Sequence, residues 1–438
     1  MMARKMIVAY STRCRRFYFI ILIGVAIFIL IRLHVQLMDS ISQTFRNVAE
    51  EKFPVHKSIV DRFYRAREKW MTSALGSRLF QNLQPDVSVQ KNKKYTILVW
   101  KHFSWLQRRH VYNFGSAKRD PLKDCSVNNC IITGQDDQLS KADAVIVHLQ
   151  RGDIPEVENR NPLQRWIFLN DESPENTFSL SSRKHSMTKL ANIFNWSMTY
   201  RSDSDIPVPY GRTVALKEPL LKSPSDSITT LIPNWKKKKR DALVAILISN
   251  CGVKYRMEFI KVLRKYIEVD VYGKCSDNET MKNLCPGHFK SDCGVTSEYL
   301  FYLVLENSSC REYMTEKIWY HGYAKGAIPI VVGPSEADCN LLLPPESYLH
   351  VPFTNTGFNI RGLAEDIIRM SKDENLILDM HNWRNHFEVR NEHGYFGTKS
   401  YHLCRVCEAM NYNVAAKKVY TALDLELFLN PKFSCANY

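Results

Sequence analysis

Short apolar runs separated by polar segments dominate the chain from Tyr95 onward. Three of them, Tyr95–Trp100, Ala142–Leu149 and Trp166–Leu169, are typical of strands buried on both faces of a parallel sheet. A linker follows that carries Pro207, Pro209, Pro219, Pro224 and Pro233. Beyond it the apolar run Ala242–Ile248 predicts the first strand of a second set.

The second set contains two successive strand–helix–strand patterns. In the first, a helix over Arg256–Tyr266 and a strand over Val269–Tyr272 follow the run Ala242–Ile248. In the second, a helix over about Cys310–Lys325 connects the strands Leu300–Leu305 and Ile328–Val332.

Local signals mark both ends of the second helix. Ser309 and Glu312 have the S-x-x-E spacing of a capping box, and Gly326 stands where a left-handed residue ends a helix. Glu316 and Lys317 lie in its first two turns. A helix start after a parallel strand attracts phosphate, so this loop is a candidate anion site.

The pattern predicts an α/β fold of two Rossmann-like domains facing a cleft. We place the N-terminal Rossmann-like domain at 91–235, the second Rossmann-like domain at 236–400 and a C-terminal tail at 401–438.

The N-terminal segment has the pattern of an uncleaved membrane anchor. Residues 1–16 are predicted to be a cytoplasmic tail, 17–38 a transmembrane signal-anchor and 39–90 a stem. Phe17–Ile31 carries no charge, basic residues precede it, and the first acid is Asp39, which puts the N-terminus in the cytoplasm. A cleaved signal peptide is the alternative. The stem is also a candidate for homodimerisation.

Charge and cysteine content narrow the class further. The net charge of +15 raises the question of nucleic acid, but the basic run Lys236–Arg240 lacks interleaved aromatic residues, so a solvated loop and no nucleic-acid partner are expected. Eleven of twelve cysteines follow the anchor, so most should pair in an oxidising lumen and at least one should remain. Cys125 and Cys130 could close a small loop. Lumenal disulfides are favoured over zinc for Cys404 and Cys407.

Residues 303–333 also resemble the signature of the α1,3-fucosyltransferases, glycosyltransferase family 10. The resemblance rests on Leu303–Ser308, on Glu312–Trp319 and on Gly326–Gly333. The departures are aliphatic residues for aromatic ones at Leu303 and Leu305, Glu312 for aspartate and Ile318 for leucine.

The N-terminal half resembles the same family in three further stretches, so the similarity runs from about Tyr95 to about Phe387. They are Cys130–Thr133 with Ala142–His148, Trp166–Asn170 with Glu172–Pro174, and Phe194–Arg201 with Asp203–Ile206. The resemblance implies a Golgi membrane enzyme of single-pass type II topology with a lumenal catalytic domain. It also implies transfer of L-fucose from GDP-fucose, with inversion, to GlcNAc of a glycoprotein glycan. The fold is then of the GT-B type, with 91–235 as the acceptor-side domain and 236–400 as the GDP-fucose-binding domain.

Glu172 is the candidate general base. It follows a buried strand in a short turn closed by Pro174, so its carboxylate should project into the cleft. The family assigns the base to the glutamate of its E-S-P motif, and Glu172 matches that position. Without the resemblance, a glutamate in a surface turn would be the simpler interpretation.

Arg256 and Lys317 are the candidate cations for the departing diphosphate. Each stands near a helix start, where an isolated basic residue is usually only solvated. The resemblance assigns both to the donor phosphates, and Glu316 could steady an oxocarbenium-like transition state. The predicted donor-binding set is Ser249, Asn250, Arg256, Tyr272, Asn307, Tyr313, Glu316 and Lys317.

No metal site is predicted, although Mn²⁺ or Mg²⁺ could stimulate activity. Asp203-Ser204-Asp205 has the D-x-D form of metal-dependent glycosyltransferases, but it lies in the other half from the donor cations. Among the sequons, Asn278 in a polar loop is the first candidate for glycosylation and Asn195 the second, whereas Asn307 is expected in the cleft.

The acceptor is the least determined feature. Cys404–Glu408 resembles the C-x-x-C ending of the subfamily that fucosylates the N-glycan core, so core GlcNAc is the leading expectation. A Lewis-type antenna acceptor is the alternative, as is an inactive glycan-binding protein of the same fold. A third alternative is a transferase for another nucleotide sugar.

Overall fold

The computed structural model describes residues 24–40, 55–84, 93–112, 114–115, 117–223, 225–287, 290, 292–354, 357–413 and 418–436. The chain divides into two compact units, one of Met1–Ser58 with Leu221–Asp226 and one of Ile59–Leu220 with Ser227–Tyr438. In the first unit residues 24–40 are helical. Neither this helix nor any other in the described part combines the length and the apolar character that a membrane crossing requires. The predicted cytoplasmic tail and the start of the predicted anchor lie outside the described residues.

The second unit contains two parallel sheets. The N-terminal sheet has the order β2-β1-β3-β4-β5-β6. Its strands are β1 (Tyr95–Val99), β2 (Cys130–Thr133), β3 (Ala144–His148), β4 (Arg165–Asn170), β5 (Trp196–Thr199) and β6 (Ile206–Pro207). Strands β3 and β4 are buried along their whole length, as their continuous apolar runs predict.

The second parallel sheet has the order β12-β11-β10-β8-β9. Its strands are β8 (Val244–Leu247), β9 (Val269–Tyr272), β10 (Phe301–Leu305), β11 (Ile328–Val332) and β12 (Leu349–His350). Two antiparallel pairs complete the strands: β7 (Gly211–Ala215) with β15 (Phe387–Asn391), and β13 (Phe353–Thr354) with β14 (Gly357–Phe358). The expectation of two α/β halves with parallel sheets is confirmed.

Helices cover both sheets. In the second unit the described helices of six or more residues are 59–65, which is part of a helix over 55–65, Ala74–Phe80, Phe103–His110, Lys254–Leu263, Glu279–Leu284, Lys317–Ala324, Glu336–Leu342, Ile360–Ser371, Glu374–Asp379, His402–Tyr412 and Ala422–Leu429. Two single turns, Met187–Leu190 and Pro431–Ser434, are also helical. The predicted helix Arg256–Tyr266 is observed two residues earlier, as Lys254–Leu263.

The predicted helix over Cys310–Lys325 is wrong in its first half. The chain coils only from Glu316, and Lys317–Ala324 is a π-helix. Glu312 has a positive φ of 57°, and its carboxylate accepts a hydrogen bond from the Ser202 amide at 2.7 Å, so it cannot form a capping box. The Thr315 amide donates to Glu306 Oε1 at 2.7 Å. These tertiary contacts keep 310–315 out of the helix, whereas Gly326 ends it with a φ of 70°, as predicted.

The folded unit begins before residue 91, inside the segment assigned to the stem. Residues 59–84 belong to the second unit, where Phe63 packs on Phe387 with ring centroids 4.8 Å apart. The Arg67 guanidinium is buried and donates to the Leu341 carbonyl. A free-standing stem cannot therefore extend beyond about residue 58.

The C-terminal segment is part of the N-terminal half's core, and it is not a peripheral tail. Leu403 and Val406 of helix His402–Tyr412 share an apolar cluster with Ile97 and Ile167 of the N-terminal sheet. Helix Ala422–Leu429 adds Leu425 and Leu429 to a second cluster, around Phe168 and Phe194. Residues beyond 401 thus bury both faces of the first sheet.

Of the eleven cysteines that the structure describes, ten form five disulfides and Cys339 is buried and free, which confirms that most pair and one remains. The pairs are Cys125–Cys404, Cys130–Cys407, Cys251–Cys275, Cys285–Cys293 and Cys310–Cys435. The predicted Cys125–Cys130 loop is therefore wrong, because each residue reaches across to the helix His402–Tyr412. Cys404 and Cys407 are not available to zinc.

The basic run Lys236–Arg240 is not wholly solvated. Lys238 is buried, and its Nζ donates to the carbonyls of Ser297, Tyr299 and Lys325 at 2.9–3.0 Å. Burial lowers the pKa of Lys238 to about 7. This lysine joins a loop to the C-terminal end of the π-helix, while Lys236 and Arg240 remain exposed.

Candidate active site

The carboxyl ends of β4 and β10 face each other and form the centre of the site. Residues 171–173 follow β4, and residues 306–308 follow β10. The hydroxyls of Ser173 and Ser308 are 2.7 Å apart, and Glu175 accepts a hydrogen bond from Ser308 at 3.1 Å. Ligands of parallel α/β sheets bind at these strand ends.

Glu172 occupies the position expected of a base. The Tyr313 hydroxyl, from the other half, donates to Glu172 Oε2 at 2.8 Å. Burial raises the pKa of Glu172 to about 6, and the Asp171 carboxylate adds to that rise, whereas the Tyr313 hydrogen bond and Lys317 oppose it. A carboxylate with this pKa is ionised at neutral pH and still basic enough to accept a proton.

A cavity of about 240 Å³ opens beside Glu172 in the N-terminal half. Its walls combine apolar and hydrogen-bonding side chains, among them Trp105, Leu106, Arg109, His148, Gln150, Leu180 and Tyr395. Trp105 and Leu180 are exposed at this cavity. Aromatic and aliphatic walls with a few convergent polar groups suit a sugar ring, which has apolar faces and a polar rim.

Beneath Glu172 lies a buried cluster around Asp171, and sequence reasoning missed it. Asp171 is 2% exposed and contacts the Arg109 guanidinium. His402 Nε2 and His393 Nε2 lie 3.2 and 3.3 Å from its Oδ2. The histidines come from distant parts of the chain, so local spacing carries no signal for them. The position of Asp171 beside Glu172 is the one clue that the sequence contains.

Lys317 is a fixed cation at the end of β10. Its Nζ lies 3.0 Å from Glu306 Oε2, 3.3 Å from Glu316 Oε1 and 2.8 Å from Thr315 Oγ1. Burial works against its charge, but the two carboxylates outweigh that effect and hold the pKa of Lys317 above its usual value. Glu306, fully buried, was not among the predicted site residues, although it stands in the family signature.

Arg256 is the second buried cation, in the first turn of helix Lys254–Leu263. It is 3% exposed, and its Nε has no hydrogen-bond partner among the described residues. Arg256 lowers the pKa of Lys317 through charge repulsion, which places the two cations within electrostatic reach of each other. A buried guanidinium with an unpaired N–H favours an anionic partner.

The remaining predicted donor residues differ in their surroundings. Asn250 is exposed and caps the turn at Gly252, and Ser249 accepts a long hydrogen bond of 3.5 Å from the Lys274 amide. The Tyr272 hydroxyl is buried, 2.6 Å from that of Tyr299. Asn307 is partly exposed beside Ser308. Of this set, Tyr313 contacts Glu172, and Glu316 contacts Lys317.

Both carboxylates of the D-x-D tripeptide have protein partners. The Arg201 guanidinium donates to Asp203 from Nε at 2.9 Å and from Nη2 at 2.6 Å. Asp205 accepts hydrogen bonds from the Ser197 amide, the Tyr420 hydroxyl and Lys418 at 2.7–2.9 Å. These contacts join β5 to the C-terminal segment, which is a structural role.

The two predicted glycosylation sites are not equivalent. Asn278 is exposed, and its Oδ1 caps the helix Glu279–Leu284. Asn195 is buried, its Oδ1 accepts from the Trp166 amide, and its Nδ2 donates to the Lys418 carbonyl at 2.7 Å. A glycan at Asn195 would break this network, so the structure argues against the second site and leaves Asn278 as a prediction.

Two family models match most of the chain. The model for the C-terminal part of glycosyltransferase family 10 (fucosyltransferase) matches residues 235–426, and the fucosyltransferase N-terminal model matches 92–211.

Individual relatives agree with the family models. The chain is 30% identical to alpha-(1,3)-fucosyltransferase 7 of Mus musculus over 337 residues, 75% of each protein. It is 30% identical to 4-galactosyl-N-acetylglucosaminide 3-alpha-L-fucosyltransferase 9 of Bos taurus, covering 72% of this chain and 81% of that protein.

A solved "Crystal Structure of alpha1,3-Fucosyltransferase with GDP-fucose" aligns with a TM-score of 0.43 and 15% identity over 78% of this chain and 98% of that one. A similarity this weak adds no argument to the assignment. The assignment rests instead on the family models and the 30% identical relatives. The chain belongs to glycosyltransferase family 10, the fucosyltransferases, and is a GDP-fucose-dependent enzyme of that family.

Proposed function

We propose that this enzyme transfers L-fucose, with inversion, to the 3-hydroxyl of GlcNAc in galactosylated glycan antennae. The observation that carries the chemistry is Glu172, a carboxylate with a raised pKa at the cavity. It is hydrogen-bonded to Tyr313 of the C-terminal half (the donor half), where the predicted donor residues lie. The antenna acceptor is supported by the relative whose name specifies 4-galactosyl-N-acetylglucosaminide.

The N-glycan core was the leading expectation from the sequence, and we now rank it second. It rested on the motif around Cys404 and Cys407, and both cysteines form disulfides that fasten a helix to the first sheet. Because these disulfides account for the two cysteines structurally, the motif gives little information about the acceptor.

The mechanism follows from the two facing strand ends. Glu172 takes the proton of the acceptor hydroxyl as its oxygen bonds to the anomeric carbon of fucose, and the bond from that carbon to GDP breaks. Arg256 and Lys317 balance the charge that develops on the departing diphosphate. Glu316, beside Lys317, is placed to stabilise positive charge on the sugar ring.

The acceptor is tested by offering GDP-fucose to the full-length protein with purified glycans. A galactosylated antenna glycan and a core N-glycan without galactose form the matched pair, and mass spectrometry with linkage analysis identifies the product. We expect α1,3-fucose on the antenna GlcNAc. Fucose on the core glycan alone would reinstate the first expectation. Hydrolysis of GDP-fucose without transfer to either glycan would leave the acceptor proposal without support.

The inactive and altered-donor alternatives need a separate experiment. Thermal shifts with GDP-fucose, GDP-mannose and UDP-sugars separate donors, because the nucleotide and the sugar vary independently. We expect the largest shift with GDP-fucose. A protein that binds GDP-fucose and neither transfers nor hydrolyses it would be the inactive glycan-binding protein.

The mechanism needs no metal, since the two cations can neutralise the diphosphate. Activity should therefore persist in excess EDTA, with Mn²⁺ or Mg²⁺ acting at most as a stimulant. The companion variant is Asp203→Asn with Asp205→Asn, whose losses should not depend on Mn²⁺ concentration. Complete inactivation by EDTA, together with a weakened Mn²⁺ response in that variant, would contradict the two-cation mechanism.

We propose a lumenal, type II orientation in the Golgi membrane for the enzyme. Five disulfides support an oxidising compartment, and the basic segment ahead of the apolar run supports a cytoplasmic N-terminus. The test is glycosylation in secretory cells: Asn278→Gln should abolish a glycosidase-sensitive mass shift, and Asn195→Gln should leave it unchanged. No mass shift in the wild-type protein would count against lumenal exposure of Asn278.

A further inference from the structure

The cluster beneath Glu172 contains more ionisable groups than proton transfer needs. Asp171 contacts Arg109, His393 and His402, and His148 Nε2 lies 4.0 Å from its Oδ1. The cluster extends outward from these contacts. The His110 ring stacks on that of His402 with centroids 4.2 Å apart, and Nδ1 of His110 is hydrogen-bonded to Ser400. All of these side chains are buried or nearly so.

The cluster contains one fixed ion pair. Burial lowers the pKa of His110, His148, His393 and His402, so these rings are neutral at neutral pH. Burial alone would raise the pKa of Asp171, but Arg109, the His402 hydrogen bond and the close approach of His393 hold it well below its usual range. Asp171 is therefore an anion and Arg109 its cation.

A metal ion is the obvious competing occupant. The ligand atoms of His110, Asp171 and His402 lie within 4.8 Å of one another, a separation that could suit a cation. The Arg109 guanidinium already lies among them, because it contacts Asp171 and its Nε donates to His110 Nε2 at 3.1 Å. Arg109 supplies the positive charge at this position, and a divalent ion beside it would be repelled.

The cluster fixes the backbone at the end of β4 from two sides. The Asp171 side chain is held by Arg109 and the histidines, and its carbonyl accepts a hydrogen bond from the Tyr210 hydroxyl at 3.1 Å. Tyr210 in turn stacks on His393 with centroids 3.7 Å apart. The next residue in the chain is Glu172, whose direction depends on this anchored peptide.

We propose that Asp171 is a positioning residue for Glu172. Anchored by Arg109, His393 and His402, it fixes the neighbouring carboxylate toward the cavity without contacting either substrate itself. The inference rests on the base role proposed for Glu172. Arg109 links the same cluster to the cavity wall, because its Nη1 donates to the Tyr395 hydroxyl at 3.0 Å.

Charges reach Glu172 from both halves of the site. Tyr313, Glu316 and Lys317 face it from the donor half, and Asp171 from its own segment. Arg109 and Tyr395 line the cavity beside Glu172, and the buried phenols of Tyr200 and Tyr210 interact electrostatically with it. Changing Asp171 or Arg109 alters one member of the ion pair and leaves the donor half intact.

The test uses variants with opposite charge effects. Asp171→Asn removes the anion beside Glu172 and should lower the pKa of Glu172. The acidic limb of the profile of kcat/KM against pH should therefore move to lower pH. Arg109→Gln removes the cation and should move that limb to higher pH. In Asp171→Asn, kcat should also fall on the order of 10²-fold, since small misplacements of a reacting group have effects of that size. KM for GDP-fucose and GDP affinity should stay unchanged.

The control is Asp137→Asn, which removes an exposed carboxylate of the same half. A folded Asp171→Asn enzyme with wild-type kcat and an unmoved acidic limb would overturn the proposal, as would an equal effect in Asp137→Asn. If Asp171→Asn does not fold, Arg109→Gln and Arg109→Lys decide. Arg109→Lys keeps the positive charge, so the acidic limb should stay at its wild-type pH while kcat falls. An unmoved limb in Arg109→Gln would overturn the proposal.

A second readout separates this inference from the proposed function. The Glu172 carboxyl band, assigned by infrared difference against Glu172→Gln, reports its pKa without any acceptor. Opposite shifts of that pKa in Asp171→Asn and Arg109→Gln would support the electrostatic linkage even if the acceptor proposal failed. Equal Glu172 pKa values in all three proteins would show that the Asp171–Arg109 pair does not act on Glu172, and would overturn the positioning proposal whatever the acceptor is.

Discussion

Two adjacent acids at the end of β4 have opposite chemical states. Asp171 is paired with a guanidinium and has a pKa well below its usual range, whereas burial raises the pKa of Glu172 to about 6. Environments that push the pKa values of two close acids apart are typical of acid–base sites. The residue that stays charged is structural, and the one that can change its charge is available for chemistry.

Glu172→Gln should abolish fucose transfer and leave GDP binding nearly unchanged, since the base acts on the acceptor. The expected loss in turnover is roughly 10²–10⁴-fold, and transfer assays with calorimetric GDP titration measure the two effects. In the wild type, kcat/KM should rise with pH through about 6, because the base must lose its proton. A variant that keeps more than about a tenth of wild-type turnover would remove Glu172 from the base role.

The same substitution should change stability with pH. A raised carboxyl pKa means that the folded protein binds the Glu172 proton more tightly than the unfolded chain does. Protonation of Glu172 therefore stabilises the fold fully below the unfolded pKa, and this contribution is lost as pH rises through about 6. Glu172→Gln should therefore match the wild type near pH 4 and exceed it near pH 8, by about 1–2 kcal/mol. Denaturant unfolding at the two pH values measures this. Equal stability at pH 8 would show that Glu172 is not held in an unfavourable environment.

Lys317→Ala should weaken the donor side. Loss of a charge-assisted contact is expected to cost about 1.5–3 kcal/mol in donor binding and to lower turnover. GDP titration and single-turnover kinetics measure the two effects. The matched control is Lys261→Ala on the exposed face of helix Lys254–Leu263, which should behave as wild type. Unchanged GDP affinity in Lys317→Ala would show that this end of the π-helix does not face the phosphates.

At the scale of elements, the π-helix Lys317–Ala324 connects the loop at 306–316, which follows β10 and is here named the donor loop, to the rest of the core. Trp319 is 2% exposed, and its Nε1 donates to the Met314 carbonyl at 3.0 Å. A Cβ at Gly211, on β7, would lie 2.6 Å from the Trp319 ring. The strand can approach the helix this closely because residue 211 is glycine. π-Helices are rare and often occur at functional sites.

Gly211→Ala should push Trp319 and displace the start of the π-helix. We expect a loss of about 1–3 kcal/mol in unfolding free energy, typical of overpacking, together with weaker GDP binding. Denaturant unfolding and GDP titration provide the two readouts. Gly357→Ala is a control for the loss of a glycine, since none of the described residues lies within 4 Å of the added methyl group, although its positive φ adds some backbone strain. Wild-type stability in Gly211→Ala would mean that the Trp319 contact relaxes freely.

Buried strands were predictable because a continuous run of apolar residues indicates by itself that a segment is buried. Val269–Tyr272 and Ile328–Val332 match the observed strands, since continuous apolar runs suit a sheet covered on both faces. The start of the π-helix was not predictable, because Glu306 and Ser202 hold residues 312–315 from elsewhere in the sequence. Glu172 was found through a local motif, whereas Asp171 acquires its partners only in the fold.

At the scale of the whole molecule, the C-terminal segment of the chain packs on the N-terminal half of the fold. Helix His402–Tyr412 is joined to the first sheet by Cys125–Cys404 and Cys130–Cys407, and Cys310–Cys435 fastens the last segment to the donor loop. The sequence analysis placed a domain boundary at residue 400, beyond the end of the family resemblance near Phe387, and treated the rest of the chain as a tail. Packing shows instead that the first half is incomplete without residues 401–436.

Removing the last of these covalent connections should weaken the donor site specifically. Cys435→Ser with Cys310→Ser is expected to lower the unfolding free energy by about 2–5 kcal/mol and to weaken GDP binding, since Cys310 follows the loop at Ser308. Cys285→Ser with Cys293→Ser, which opens a short loop, is the control and should affect donor binding less. Equal GDP affinities in the two double variants would contradict a role of the C-terminus in the donor site.

Disulfides between cysteines that are far apart in the sequence can form only late in biosynthesis. Cys125 and Cys404 are separated by 279 residues, so at roughly 5–20 residues per second the ribosome makes the second roughly 14–56 s after the first. During that interval Cys125 and Cys130 are neighbours without their final partners, and oxidation would join them to each other. The newly made chain should then pass through a Cys125–Cys130 species that a disulfide isomerase resolves once helix His402–Tyr412 emerges. Yield in cells should therefore depend on isomerase supply, and a secreted chain ending before residue 401 should retain the early pair.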